Sequence, residues 1–350
     1  MKKDYIFDLD EPAEALSVSP DHSMVVVAGR QIMKVYEILD GSFSEKYNLR
    51  TRTMNLNYSA SDVAWSPVQD NIIATTSTNG SVVIWNLEKS SNKIEKVFIR
   101  HSRAATKVCF HNSDPNIVIS GSKDAKINLY DLRENEPIRS FSTSGGSDSV
   151  RDVQFGLHPD HQDMFVVADD SGYVRFWEMR RTDRPVKQFP AHQGHVASVD
   201  LHPDPNNKNL LATGGGRDKF IRVWDWSKSS PEKPIYAVET SSPVARAYWR
   251  PLHTWHIASC SVINDFAINV WDIRRPFIPF ASFEEHQDVV SDMAWCASDP
   301  TKFISTGKDS KLIQHSFDKA QRPLDFCNEV AVDISPFGEI SFAGWLTKSM

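Results

Sequence analysis

The chain has 350 residues, 40% hydrophobic and 24% charged, with a net charge of −6 and a pI near 6.1. That acidic balance argues against a general nucleic-acid or anionic-membrane binder, and a chain of this length buries roughly 75% of its unfolded surface, so core is not limiting. The longest apolar runs, such as Met24–Ala28, are strand-sized and exclude a membrane-spanning helix.

The N-terminal MKKDYIFDLDEPAEA has no apolar stretch ahead of its acidic residues, so no secretory signal is read there. From residue 15 onward one pattern recurs. A short alternating segment, often ending at proline, opens each unit: 15-ALSVSP-20, 62-DVAWSP-67, 150-VRDVQF-155, 198-SVDLHP-203 and 246-RAYWRP-251. An apolar run follows, as in 72-IIATT-76, 117-IVISG-121, 210-LLATG-214 and 303-FISTG-307. Next comes a tight polar turn (TNG, SKDAK, DDSG or GRDK) and a segment with an aromatic near its end. Those positions are Tyr36, Trp85, Tyr130, Trp177, Trp224, Trp271 and His315, spaced by 49, 45, 47, 47, 47 and 44 residues. A last short segment, such as 234-PIYAVE-239, completes the unit.

Four short strands with tight turns make one antiparallel blade. No stretch keeps a 3.6-residue apolar period over three turns, so helix is expected to be scarce. Seven units of this kind, with Trp-Asp closing the third strand, match the WD-repeat pattern and predict an all-β, seven-bladed propeller over residues 1–322. A single blade cannot cover both of its faces, and ring closure buries them. Residues 323–350 are expected to hold a closing strand and a partial extra blade or truncated tail. Either Tyr5–Leu9 or Pro323–Cys327 supplies the outer strand of blade seven, and Phe277–Phe283 largely forms that of blade six. Residues 331-AVDISPFGEISFAG-344 resemble the first two strands of another unit, whose open edge is free to accept a partner's strand.

Several constellations resemble chemistry. His101, Ser120, Asp124 and Tyr130, then His192, Thr213, Asp218 and Trp224, then His286, Ser305 and Asp309 with His315, each suggest a hydrolase triad. Three copies at repeat spacing favour a buried network tying turn to strand, because a catalytic site is normally unique. The pairs His158/His161, His192/His195 and His253/His256 lack a helix face or a third ligand and are read as exposed or capping residues. The run 214-GGGRDK-219 lacks the Lys-Ser/Thr of a phosphate loop and leads into a strand. Cys109, Cys260, Cys296 and Cys327 are far apart, which excludes a local zinc knuckle and fits reduced, buried thiols. No catalytic, metal or cofactor site is assigned. An enzyme site in the central channel would need inward carboxylates or histidines, yet the first strands read mainly as Val, Trp, Phe and Ala.

Arginines follow the third strand in 130-YDLR-133, 177-WEMRR-181 and 271-WDIRR-275. Arg133, Arg180, Arg181, Arg184, Arg274 and Arg275 are therefore expected on the face opposite the His and Asp turns, as an arc that docks an acidic partner. Arg274 and Arg275 carry no structural duty in this reading.

The segments 25-VVVAGRQIMKVYEI-38, 148-DSVRDVQF-155, 212-ATGGGRDKFIRVWD-225, 269-NVWDIRRPFIPFASFEEHQDV-289 and 338-GEISFAG-344 resemble the propeller of a WD-repeat subunit of the larger GATOR, or SEA-type, complex. The resemblance covers nearly the whole chain. It implies a non-enzymatic scaffold, cytoplasmic and peripherally associated with the lysosome. Such a scaffold binds protein subunits, other WD-repeat proteins among them, and relays amino-acid sufficiency to the TOR kinase pathway, with no nucleic-acid partner. Full-length members continue into a helical solenoid and a RING-like zinc domain linked to ubiquitin-ligase activity. The four scattered cysteines cannot build that domain, so the chain is expected to be a fragment, short isoform or incomplete gene model without that activity. The alternative is a substrate receptor of a cullin-RING ubiquitin ligase, because YDLR, WEMR and WDIR resemble the WDxR box of such receptors.

Overall fold

The computed structural model describes residues 5–39, 41–50, 59–90, 92–143, 148–228, 233–297, 299–326, 330–335 and 338–344. Among these residues the chain forms seven four-stranded antiparallel sheets and one two-stranded hairpin, with helix confined to short 3-10 turns such as Pro159–His161. The inner strands of blades one to seven are Ala15–Val18, Ala60–Trp65, Ala105–Phe110, Val150–Phe155, Val196–Leu201, Val244–Trp249 and Val290–Trp295. They pack side by side in chain order, and that of blade seven meets that of blade one, so the ring closes.

The blades form because their second strands are covered on both faces. Ile72–Ser77 is buried at every position, which is why it reads as an apolar and hydroxyl run with no alternation. Each apolar cluster of the core straddles two neighbouring blades. Val26 and Val35 of blade one meet Trp65 and Trp85 of blade two, and Ile119 and Phe141 of blade three meet Phe155 and Trp177 of blade four. Phe141 and Trp177 pack edge to face at 5.5 Å. The tight turns are tucked beneath the next blade: Gly80 and Gly172 have φ of +85° and +88°, and a Cβ there would strike the backbone carbonyls of His101 and His192.

Blade seven takes its outer strand from the N-terminus. Tyr5–Asp8 pairs antiparallel with Lys311–Ser316, Tyr5 opposite Gln314 and Asp8 opposite Lys311. The other candidate, Pro323–Phe326, forms a 3-10 turn, and Cys327 lies outside the described residues. In blade six only Ala281–Phe283 pairs as the outer strand, shorter than the expected Phe277–Phe283. Pro276 and Pro279 have no N–H to give a ladder, and Ser282 instead exchanges backbone hydrogen bonds of 2.8 and 2.9 Å with Gln321 on its far side. Val330–Ile334 and Ile340–Gly344 form a hairpin, and Val332, Ile334 and Ile340 on it are exposed.

The axis differs most from expectation. The inner strands are not merely apolar: they bring Asp62, Lys107, Asp152, Asp200, Arg246, Tyr248 and Asp292 together at the centre. Their carboxylates accept from backbone N–H groups of the next blade's inner strand. Asp62 accepts from Val108 at 3.0 Å, Asp152 from Val199 at 2.9 Å, Asp200 from Trp249 at 2.7 Å and Asp292 from Leu16 at 3.2 Å. Ser17, Gln154 and Ser198 do the same for Trp65, Leu201 and Ala247. Blades three and four are joined by the Thr106 hydroxyl donating to the Val150 carbonyl at 2.8 Å, and blades six and seven by Arg246 and Tyr248 on Asp292. Burial pushes the Asp200 carboxyl up to about 7. Burial opposes the charged form of Lys107, but Asp62, at 3.0 Å, and Asp152 outweigh it and hold the amine protonated.

Replacing Asp62 by Ala strands both the Val108 N–H and the Lys107 ammonium. The variant is expected to lose about 3–5 kcal/mol of stability, read as a lower urea midpoint at unchanged slope; a loss under about 1 kcal/mol would show that the axial pairs are not needed.

Candidate protein-docking surface

On the face of the second-to-third-strand turns, each hydrolase-like set closes within one blade. His101 Nδ1 lies 3.2 and 3.3 Å from the Asp124 carboxylate, its Nε2 2.7 Å from Ser120 Oγ, and Ser120 Oγ donates to Tyr130 at 3.3 Å. His192 lies 3.0 Å from Asp218 and 2.8 Å from Thr213, and Trp224 Nε1 donates to Thr213 at 3.0 Å. His286 lies 3.0 Å from Asp309 and 2.7 Å from Ser305, which contacts His315 at 2.6 Å. Ser120, Thr213 and Ser305 are fully buried, so these hydroxyls have no open face from which to attack a substrate. Their work is to satisfy buried polar groups. Burial alone would raise the Asp124 carboxyl; the hydrogen bonds from His101 and from the Ser102 and Lys126 N–H groups outweigh it and hold it at about 2.

Blade four departs from the set. Val167 stands where five other blades place a hydroxyl (blade one has Val27), and Trp177 Nε1 is buried with no hydrogen-bond partner among the described residues. Its polar network is instead a buried ion pair of Arg175 with Asp169, supported by Asp148 at 3.8 Å.

The paired histidines are not the exposed or capping groups expected. His158 is buried and donates to the His202 carbonyl of blade five at 2.9 Å, His161 packs edge-on to Trp226 at 4.7 Å, and His253 stacks on His256 at 5.0 Å. His195 is half-buried. Of the three described thiols only Cys260 is fully buried; burial pushes Cys109 up to about 11 and Cys260 up to about 12, which keeps both protonated at neutral pH.

At the opposite end of the third strands lie the arginine turns, and the six residues fall into three groups. Arg133 clamps its own strand's Asp131, Nε at 2.9 Å and NH2 at 2.6 Å. Arg274 does the same to Asp272, at 3.0 and 2.7 Å, with its guanidinium 5.4 Å from the Trp255 ring centroid, so it does carry a structural duty. Arg181 and Arg184 both lean on Asp183, at 3.0 and 3.9 Å. Arg180 and Arg275 are exposed and have no side-chain partner among the described residues.

A set of basic residues that sequence reading missed fixes these turns. Lys96 Nζ donates to the carbonyls of Leu132 and Glu134 in the next blade at 2.8 and 2.7 Å, Arg139 to that of Met179 at 3.0 Å, and Lys187 to those of Trp226 and, at 2.6 Å, Lys228. All three stand opposite the residue preceding the aromatic, at Ile84, Leu129 and Phe176. The signal was present as 96-KVF-98, 139-RSF-141 and 187-KQF-189 in successive outer strands.

A closed ring of four-stranded blades with Trp-hydroxyl and His-Asp ties defines a WD-repeat β-propeller. Residues 12–205 match the sequence model of the nucleolar protein 10-like N-terminal domain, a β-propeller, and the chain belongs to that family. It is 46% identical over 340 residues to the GATOR2 complex protein WDR24 of Danio rerio and 44% identical over 340 residues to that of Homo sapiens. Each alignment covers 96% of this chain and 42% of the relative, so the chain spans under half the length of these relatives. A chain from the crystal structure of a mitotic checkpoint complex superposes with a TM-score of 0.73 at 20% identity, covering 89% of this chain and 90% of that one, which supports the fold alone. No helix among the described residues is long and apolar enough to cross a membrane.

Two outcomes follow. Val167→Thr supplies the missing acceptor for Trp177 and is expected to raise stability by about 1 kcal/mol in urea unfolding; a loss of that size would mean the added hydroxyl is itself left unpaired. Because Asp124 is held below its unfolded value, its share of stability is present above pH ~4 and is lost as pH falls through about 2. Asp124→Asn should therefore flatten the acid limb of a stability-versus-pH curve, and an unchanged limb would place the sensitivity elsewhere.

Proposed function

We propose that the chain is a non-enzymatic scaffold subunit of the larger GATOR (GATOR2, SEA-type) complex, acting through protein–protein contacts. The observation that carries this reading is identity of 44–46% along 96% of the chain with relatives named as GATOR2 complex proteins. Burial of all three Ser/Thr-His-Asp sets within blades supports a binding role over a catalytic one. In this reading the partners are protein subunits, other WD-repeat proteins among them. The complex holds the chain peripherally at the lysosomal membrane from the cytoplasm, where it promotes amino-acid-dependent activation of TOR kinase signalling.

The arginine turns, through Arg180, Arg181, Arg184 and Arg275, and the C-terminal hairpin are the surfaces assigned to these contacts. The exposed Val332, Ile334 and Ile340 give the hairpin a face and an open edge suited to a partner's strand. Co-expression of the chain with the remaining subunits of the complex tests the assignment. Stoichiometric co-purification at physiological salt, read by native mass measurement, is expected; a chain that elutes alone would overturn it.

A further inference from the structure

The arginine arc divides in a way the repeat pattern does not show. In blades three and six the first arginine after the third strand is consumed by an aspartate on that same strand. Blade four has Glu178 at that position; its side chain is exposed, and among the described residues no ion pair or hydrogen bond joins it to Arg180. Arg181 and Arg184 then share the single carboxylate of Asp183, which the Arg181 hydrogen bond holds below the usual carboxylate range. Three guanidinium groups on one short turn thus have one carboxylate between them, on a chain whose net charge is −6.

The turn is also rigidly placed. Met179 N donates to Asp163 O at 2.8 Å, Met179 O accepts from Arg139 of blade three at 3.0 Å, Arg181 N donates to Glu178 O at 3.0 Å, and Val186 N to Phe176 O at 2.8 Å. Exposed aliphatic side chains border it: Val186 is 44% exposed, and Ile138, next to Arg139, is 43% exposed. Guanidinium forks match carboxylates in pairs, and a backbone already held in place loses little freedom on binding. Arginine flanked by exposed aliphatics is the composition of a protein-binding patch, whereas a phosphate backbone would leave Ile138 and Val186 unused.

We propose that the blade-four turn bearing Arg180, Arg181 and Arg184 docks an extended Asp/Glu-rich segment of a partner protein. This specifies one contact within the scaffold reading and rests on it. Arg133 and Arg274 hold their own strands and contribute little to the contact.

A labelled Glu/Asp-rich peptide titrated into the 350-residue chain, followed by fluorescence anisotropy at low and physiological salt, tests the assignment. Replacing Arg180, Arg181 and Arg184 together by Gln is expected to weaken binding about three- to tenfold at low salt, while the Arg133→Gln, Arg274→Gln double variant binds as the parent does. Asp183→Asn removes the competing carboxylate and should tighten binding. Three results would each overturn the proposal: unchanged affinity of the triple variant, an equal loss in the double variant, or tighter binding of a DNA duplex than of the peptide. Co-purification of the triple variant with the complex separates the two readings. An intact complex with unchanged peptide affinity removes the docking proposal alone, and failure of the parent chain to assemble removes the scaffold reading.

Discussion

The inner strand of every blade has one edge against its own sheet and the other facing the axis. That second edge carries N–H groups with no strand to receive them, and the ring allows no further strand there. The solution is lateral: side chains of one blade accept from the backbone of the next. Asp62, Asp152, Ser198 and Asp292 do this at equivalent strand positions, and Ser17, Gln154 and Asp200 two residues further along. Polar groups at the centre of the molecule therefore serve closure, since a buried N–H left unmet costs about 1–3 kcal/mol. The same requirement explains the carboxylates, and Lys107 and Arg246 follow as the cations that make so many buried carboxylates tolerable.

Ties of the same kind recur further out. At the rim Lys96, Arg139 and Lys187 reach carbonyls of the following blade, and near the axis His111, His158, His202 and Arg250 do likewise. The apolar clusters straddle blade interfaces too. Each blade is thus incomplete without its neighbour. Pairing of Tyr5–Asp8 with Lys311–Ser316 completes blade seven through a backbone ladder, where the other blades take their outer strand from chain continuity.

How much of this is legible in the sequence depends on whether a residue acts within its own blade. The period, the strand grammar and the His-Asp-Ser/Thr sets are readable because their partners sit at fixed offsets in one repeat. Asp62 binding Val108, or Lys96 binding Leu132, spans two repeats and needs the register of both inner or outer strands. In a linear reading such residues look like ordinary surface charges. The HxxH pairs mislead for the same reason: His158 and His161 lie close in sequence, yet one serves blade five's His202 carbonyl and the other its Trp226 ring. Phe277–Phe283 misleads through composition, since apolar character implied a strand that Pro276 and Pro279 do not permit.

The repeat also separates structural arginines from recognition arginines. A residue after the third strand begins as part of a clamp, with the Asp of Trp-Asp or Tyr-Asp as its acceptor, and in that state its charge is spent locally. Exchange of that Asp for Glu in blade four moves the carboxylate out by one methylene and exposes it, so the following guanidinium loses its anchor without disturbing the blade. Local geometry and charge pairing of the turn then change while the strand pairing, the aromatic packing and the Arg139 tie remain. Because neighbouring blades supply the stability, a single blade is free to depart from the pattern at its turn. Blade four departs near both ends of its third strand, with Val167 opposite Arg175 where Trp177 would find a hydroxyl, and Glu178 before Arg180.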